Sequence, residues 1–497
     1  MKPTSSPRLA AALLDAALTA LAVIPAGAVA QAPGDSAVLA RAIGAVIDSG
    51  ALGRAHWGIE VLDVASGEVR YAHNNERLFV PASNLKLIVA ATAAQHLDPG
   101  FRYSTTFLAR GEVRDGTLQG QLVVHGTGDP TISGRYEPDR LTIFTGFADS
   151  LRAHGVRRIT DGVMADVSAW PDEPQHGDWQ KYDLNWWYAA PTGPLGFNDN
   201  AIDFRVAPGP GEGTPASITW QPESRAFTFA NLTRTVAVGR PHTLDFDRVP
   251  GTDSIFAYGE IPLGTAATTE SFAVRDPARY AATVLAESLV RAGIQIDPAA
   301  VQVTRVPPSA LSALFEYRSP SLPRVLGPVL QTSQNWFAEQ LLKTLGKQLR
   351  GEGSWDAGLK VETEFLRDVA GIDTTGFRLR DASGLSTGNL VTPAALTRLL
   401  RHIATSPRQR VVLEALPVSA AQTGSLRTRF TDLPGRVRAK TGSVRNVASL
   451  SGLVRTDSGR ELAFSIIVNG TGLPTGRVTE AIDRVVRQLA ADADQVR

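Results

Sequence analysis

The chain has 497 residues, 43% of them hydrophobic, so it is too long for one ordinary domain and can bury more than one core. Its net charge of +1 gives no field for nucleic acid or for strong attraction to an anionic membrane. It has no cysteine, which excludes disulfides, thiol catalysis, cysteine metal sites and a lipidated N-terminal cysteine.

Lys2 and Arg8 precede an apolar run, Leu9 to Ile24, and then the small residues A-G-A-V-A at Ala26 to Ala30. Basic, apolar and small residues in this order predict a secretory signal over residues 1–30, cleaved after Ala30. Asp15 interrupts the apolar run. No later segment is apolar for ~20 residues, so no other transmembrane helix is expected. The mature protein is expected to be exported and periplasmic. Ser36 to Ser49 has helical spacing. Trp57 to Val64 and Val69 to His73 read as strands joined at A-S-G in a hairpin. A helix carrying Ser83 follows and runs to about Leu97. Phe101 to about Gly264 is rich in short strands, Gly and Pro. Asp276 to Gly293 is an amphipathic helix, and helical character dominates from Leu322 to Leu349. Val437 to Ser443, Ala448 to Thr456 and Leu462 to Asn469 read as three more strands, with a turn at D-S-G. Val478 to Leu489 reads as an amphipathic helix packed on a sheet. The fold class is therefore α+β: an antiparallel sheet flanked by helices, built from both ends of the sequence around a large, mainly β insertion.

Lysine is scarce, at positions 2, 86, 181, 343, 347, 360 and 440. In V-P-A-S-N-L-K, Ser83 and Lys86 are three residues apart and share one face of a helix. A serine hydroxyl is a poor nucleophile until a base takes its proton. A lysine can be that base only if its pKa falls from about 10.4 towards neutrality, at a cost of about 4 kcal/mol. Burial and a second cation both push that way. Lys440, in R-A-K-T-G-S near the end of a predicted strand, is the lysine with a credible motif around it. No other lysine has a serine three residues before it, and none is followed by Ser/Thr-Gly. The third element is Ser333-Gln334-Asn335, where a loop meets a helix. Each motif alone is weak, and Ser-x-Asn alone is as well explained by a helix cap. Together, in this order and on these elements, they form a strong signal.

The three motifs resemble those of the penicillin-binding proteins and serine β-lactamases. More narrowly the chain resembles the low-molecular-mass class C penicillin-binding proteins, the D-alanyl-D-alanine carboxypeptidase/endopeptidase family of penicillin-binding protein 4. About 250 residues separate Ser83 from Ser333, far more than in β-lactamases. H-G-T-G-D-P-T (His125 to Thr131), D-A-S-G-L-S (Asp381 to Ser386) and L-P-V-S-A-A-Q-T-G-S-L-R (Leu416 to Arg427) resemble further family segments. The resemblance implies a serine β-lactamase/transpeptidase-like catalytic domain over 31–98 and 308–497. It implies an inserted domain II over 99–200 and 275–307, and an inserted domain III over 201–274. It implies Ser83 as the acylated nucleophile, Lys86 as its base, and the N–H groups of Ser83 and Ser443 as the oxyanion hole. Ser333 would pass a proton to the leaving nitrogen and Asn335 would hold a substrate amide. Lys440 would keep the field positive, Thr441 would bind the terminal carboxylate, and Gly442 would let substrate lie against the strand. The implied substrates are peptidoglycan stem peptides ending in D-alanyl-D-alanine and similar cross-links, with β-lactams as covalent inhibitors and no cofactor.

Relatives that recognise a diaminopimelate side chain carry an arginine just after G-L-S, where this chain has Thr387. Arg445 is expected to supply that cation, with Asp166 of the insertion holding the side-chain amine. Gly384-Leu385-Ser386-Thr387-Gly388 matches a G-x-S-x-G nucleophile elbow, but no strong strand precedes it and Pro393 follows. A structural turn is the better reading. The eight histidines are scattered, so no metal site is expected, and His125 reads as a turn residue. A β-lactamase or esterase on the same motifs, and an inactive peptidoglycan-binding scaffold, are the alternatives. The oligomeric state, and peripheral contact of the processed protein with the membrane, are left open.

Overall fold

The computed structural model describes residues 34–137, 139–171 and 173–491; the expected signal at 1–30 lies outside the described residues. Five antiparallel strands form one sheet, in the order Val437–Val444, Val447–Arg455, Glu461–Asn469, His56–Asp63, Val69–His73. The first strand in the chain lies beside the last, with Ile59 opposite Ile466. Gly67 and Gly459 take the positive φ that the two hairpin turns need (77° and 86°). The three inner strands are buried on both faces. They therefore read as continuous apolar runs rather than as an alternation. Helices Gly34–Ile47 and Thr475–Ala490 cover one face through Ile43, Ile47, Ile482 and Val485. Helices Lys86–His96 and Pro393–Thr405 cover the other, through residues such as Ile88, Leu399 and Ile403. The fold is the α+β transpeptidase-like arrangement expected, and the five strands begin and end within one residue of their predicted positions.

One helical prediction needs correction, and another gains detail. The stretch Ala82–Leu85 is a tight 3-10 turn, and the α-helix starts only at Lys86. Ala82 enters this turn at φ 48°. The long helical stretch is two helices, Leu322–Leu330 and Asn335–Arg350, broken at 331–334. Ser333 sits in the break at φ 59°. The break has a local cause: the Gln334 side chain accepts from Trp336 N–H at 3.0 Å and caps the second helix.

The insertion carries a six-stranded sheet. Its order is Val301–Thr304, Val163–Asp166, Thr117–His125, Ser104–Arg114, Ser312–Arg318, with Arg158–Ile159 beside Thr117–His125. Strand Ser312–Arg318 lies beyond the predicted boundary at 308 yet pairs with Ser104–Arg114, so the chain leaves the insertion later than expected. Residues 201–273 hold two three-stranded sheets. Phe107, Phe147, Phe204, Phe246, Phe272 and Leu285 belong to one core shared by all of these strands and by helix Pro277–Arg291. Asp276 caps that helix by accepting Arg279 N–H at 3.0 Å. His125 is not a turn residue: it ends a strand opposite Asp166, and its Nδ1 lies 2.8 Å from the Asp166 carboxylate. Among the described residues no helix is long and apolar enough to cross a membrane.

Candidate active site

Three distant segments close on the turn that carries Ser83. Gly442 lies so close that a Cβ there would sit 2.8 Å from Pro81 O and 3.0 Å from Ser83 N. A Cβ at Gly384, which has φ 82°, would sit 2.0 Å from Ala82 O. Two glycines thus let the Lys440 strand and the D-A-S-G-L-S loop clamp the serine turn. Ser449, on the next strand, donates to Pro81 O at 2.7 Å. The amide of Asn84 lies 2.8 Å from Ser451 Oγ and, turned to suit its neighbours, 2.6 Å from the Lys440 carbonyl.

Lys86 is fully buried. Its Nζ lies 2.7 Å from Asn335 Oδ1, 2.7 Å from the Ser383 carbonyl and 2.9 Å from Ser83 Oγ. Burial lowers its pKa to about 7, against the opposing pull of Glu339 and Asp381. The geometry places that amine to exchange a proton with Ser83. Two N–H groups serve the two carbonyl-type oxygens, which can only accept, and the third position of the amine lies against the Ser83 hydroxyl, where loss of a proton would leave a base.

Lys440 is also fully buried, and its Nζ donates to Ser333 Oγ at 2.7 Å and to the Thr441 carbonyl at 2.8 Å. Burial, and then the charge of Lys86, push its pKa well down. Neither lysine lines the open cleft, but the serine each one touches does. A cavity of about 250 Å³ is lined by Ser83, Ser333, Thr441, Gly442 and Ser443. Thr441 Oγ1 donates to Ser425 Oγ at 3.1 Å.

The D-A-S-G-L-S loop is held by buried carboxylates that the sequence reading did not assign. Asp381 accepts from Gly384 N–H at 2.8 Å, Ser386 N–H at 2.7 Å, Trp179 Nε1 at 3.0 Å and Asn389 Nδ2 at 2.8 Å. Glu339 accepts from Ser383 N–H at 2.8 Å, Ala382 N–H at 3.2 Å and Trp355 Nε1 at 2.8 Å. Burial, and then Asp381, raise the Glu339 pKa to about 7. Three donors on its two oxygens nevertheless suit the anion. A signal for Glu339 was present: Asn335, Glu339 and Lys343 recur every fourth residue, a polar row on a helix whose other residues are largely apolar. Arg429 also lines the cleft, ion-paired to Asp483; nothing in its sequence context marks it.

Asn335 is nearly buried, with Nδ2 donating to the Tyr188 carbonyl at 2.7 Å. Asp166 and Arg445 are not among the residues lining the cleft. Arg445 is exposed in the turn after the Lys440 strand. Asp166 is buried, and its two oxygens are taken by His125 and by Ser168 N–H (3.0 Å). Each oxygen thus has a partner inside the insertion, and a substrate amine would have to share the carboxylate with them. Ser386, the centre of the G-x-S-x-G match, is buried and donates to Asp178 at 3.1 Å. It is a structural turn residue.

Residues 39–491 match the D-Ala-D-Ala carboxypeptidase 3 (S13) family. The chain is 34% identical to a D-alanyl-D-alanine carboxypeptidase of Actinomadura sp. (strain R39) over 489 residues, 94% of this chain and 88% of that one. It also aligns with the crystal structure of penicillin binding protein 4 (dacB) from Haemophilus influenzae, at a TM-score of 0.79 and 22% identity, over 91% of this chain and 98% of that one. The complex of that protein with a novel β-lactam aligns at a TM-score of 0.74 and 21% identity, over 92% and 98%. With a match running over nearly all of the described chain, and a relative about one-third identical along almost its full length, this chain belongs to the D-Ala-D-Ala carboxypeptidase 3 (S13) family.

Proposed function

We propose that the protein is an exported serine-type D-Ala-D-Ala carboxypeptidase and endopeptidase that works on peptidoglycan stem peptides and cross-links. The observation that carries this reading is the pair of buried lysines on the cleft serines, Lys86 Nζ 2.9 Å from Ser83 Oγ and Lys440 Nζ 2.7 Å from Ser333 Oγ. Ser83 Oγ attacks the carbonyl of the penultimate D-alanine while Lys86 takes the hydroxyl proton. The oxyanion that forms is met by the backbone N–H groups of Ser83 and Ser443. Ser333, fed by Lys440, delivers a proton to the departing nitrogen, and the C–N bond breaks to leave an acyl-enzyme. Water then hydrolyses the ester and restores Ser83. Thr441 receives the terminal carboxylate. Asn335 keeps one N–H for a substrate carbonyl, because the other serves Tyr188. Arg445 meets the carboxylate of a diaminopimelate side chain. A β-lactam acylates Ser83 by the same route, and its opened ring holds the leaving group in place.

Purified protein is incubated with fluorescent penicillin and, separately, with crosslinked muropeptides analysed by mass. Wild type is expected to keep the label and to release D-alanine or uncrosslinked products, and Ser83→Ala to do neither. A label lost within seconds would identify a β-lactamase, and no label with no product would identify a scaffold.

A further inference from the structure

The catalytic cleft, at about 250 Å³, is smaller than the ~300–1,000 Å³ of ordinary ligand pockets, and has room for little beyond the end of a stem peptide. A much larger cavity, of about 800 Å³, opens beside it within the insertion. The two meet at one turn: Ser333 lines the small cavity and Gln334 the large one. Gln334 Nε2 donates to Asp199 at 2.8 Å on the wall of the large cavity. Trp187 forms part of the same wall and is half-buried. The next residue, Tyr188, gives its carbonyl to Asn335.

The wall is polar, yet its charges largely cancel. Arg135, Arg140 and Arg291 face it. So do Asp139, Asp199, Asp203 and Glu223. Arg135 is paired with Asp199 and Arg140 with Asp203. Such a surface offers hydrogen bonds in both directions and no net field for an anion. Trp187 offers an aromatic face, on which the apolar C–H face of a pyranose ring can lie. It also borders a further cavity of about 530 Å³, with Tyr182 and His242 on the wall. Tyr182 is 59% exposed, so the aromatic surface continues outward.

We infer that the 800 Å³ cavity is a glycan subsite, which takes the N-acetylated sugars of a muropeptide whose stem peptide lies at Ser83, with Trp187 as the stacking platform. The inference rests on the functional reading above. On it, the insertion selects peptides that are still attached to the sugar strand.

The test compares two substrates, the free pentapeptide stem and the same pentapeptide carried on its N-acetylated disaccharide. Wild type is expected to show a KM at least about tenfold lower for the disaccharide form, with similar kcat. Trp187→Ala and Thr219→Trp, the second placed on the cavity wall to fill it, are expected to erase that difference. Both variants are checked for folding by their rate of penicillin acylation. The peptide-free disaccharide, titrated into wild type, is expected to bind, and to fail to bind Thr219→Trp. Equal KM values in wild type, or a preference that survives both variants, would overturn the subsite. If neither peptide is turned over, the functional reading fails, and the disaccharide titration still decides the subsite.

Discussion

Glu339 accepts the backbone N–H of Ser383 at 2.8 Å, and the carbonyl of that same Ser383 accepts Lys86. One helix therefore sets both acceptors of the catalytic amine, Ser383 through Glu339 and Asn335 directly. With the Lys86 pKa near 7, penicillin acylation should rise with pH through about 7, because the neutral amine is the base. Glu339 opposes that loss of charge, so Glu339→Gln should move the acidic limb to lower pH. It also replaces one acceptor oxygen by an amide N–H₂ that faces a donor, either Ser383 N–H or the pair from Ala382 and Trp355. The acylation rate constant should fall about 10–100-fold and stability by about 1–3 kcal/mol. A stopped-flow pH profile of acylation, with thermal melting, checks both. A limb that stays in place would separate Glu339 from the lysine.

Glu362 is buried with no hydrogen-bond partner on either oxygen, and its pKa is raised well above normal by burial and then by Glu339 and Asp381. The folded state therefore keeps a proton that the unfolded chain gives up at ordinary carboxylate pH. Its contribution is fully present below the unfolded pKa and erodes by ~1.4 kcal/mol per pH unit as pH rises towards the folded value. Glu362→Gln should remove that slope and stabilise the protein at pH 7–8. Urea titrations at pH 5 and pH 8 measure it, and a variant with the wild-type slope would assign the slope elsewhere.

Gly442→Ala tests the close approach of the Lys440 strand to the serine turn. A Cβ would press on Pro81 O at 2.8 Å and Ser83 N at 3.0 Å, both backbone atoms that cannot swing away. A displacement of about 1 Å at the nucleophile should lower acylation about 100-fold. The cost in stability should be about 1–3 kcal/mol. Acylation kinetics and a melting curve report the two effects.

Arg445→Ala should lower turnover of diaminopimelate-containing peptides more than that of simple D-alanyl-D-alanine peptides, by about 10-fold in the ratio of kcat/KM values. Equal loss on both substrates would show that the exposed guanidinium makes no side-chain contact.

Much of the sheet was legible because its strands are buried on both faces and bounded by glycine turns at Gly67 and Gly459. Ser83, Lys86, Ser333 and Lys440 were legible because lysine is rare here and each motif has a fixed short spacing. What escaped depends on contacts between distant segments. Gly384 gave no hint that it presses on Ala82, nor Glu339 that it holds the loop around Ser383. The break before the helix of Asn335 was legible at Ser333 and Gln334, where a loop was expected to meet a helix, but its start at residue 331 was not. The burial of Asp166 was invisible, since only the pairing of two strands places it opposite His125.

Because the strand after residue 55 pairs with one that ends at Asn469, the nucleophile is made more than 350 positions before Lys440 and cannot be armed when it first appears. A chain still being synthesised carries the reactive hydroxyl and its lysine without the Ser333, Asn335 and Lys440 that complete the site. Contacts of such sequence separation also fold slowly. Hydrolytic power over the wall thus arrives only with the last tenth of the polypeptide, and loss of its final strand should leave a molecule with Ser83 and Ser333 intact and no chemistry.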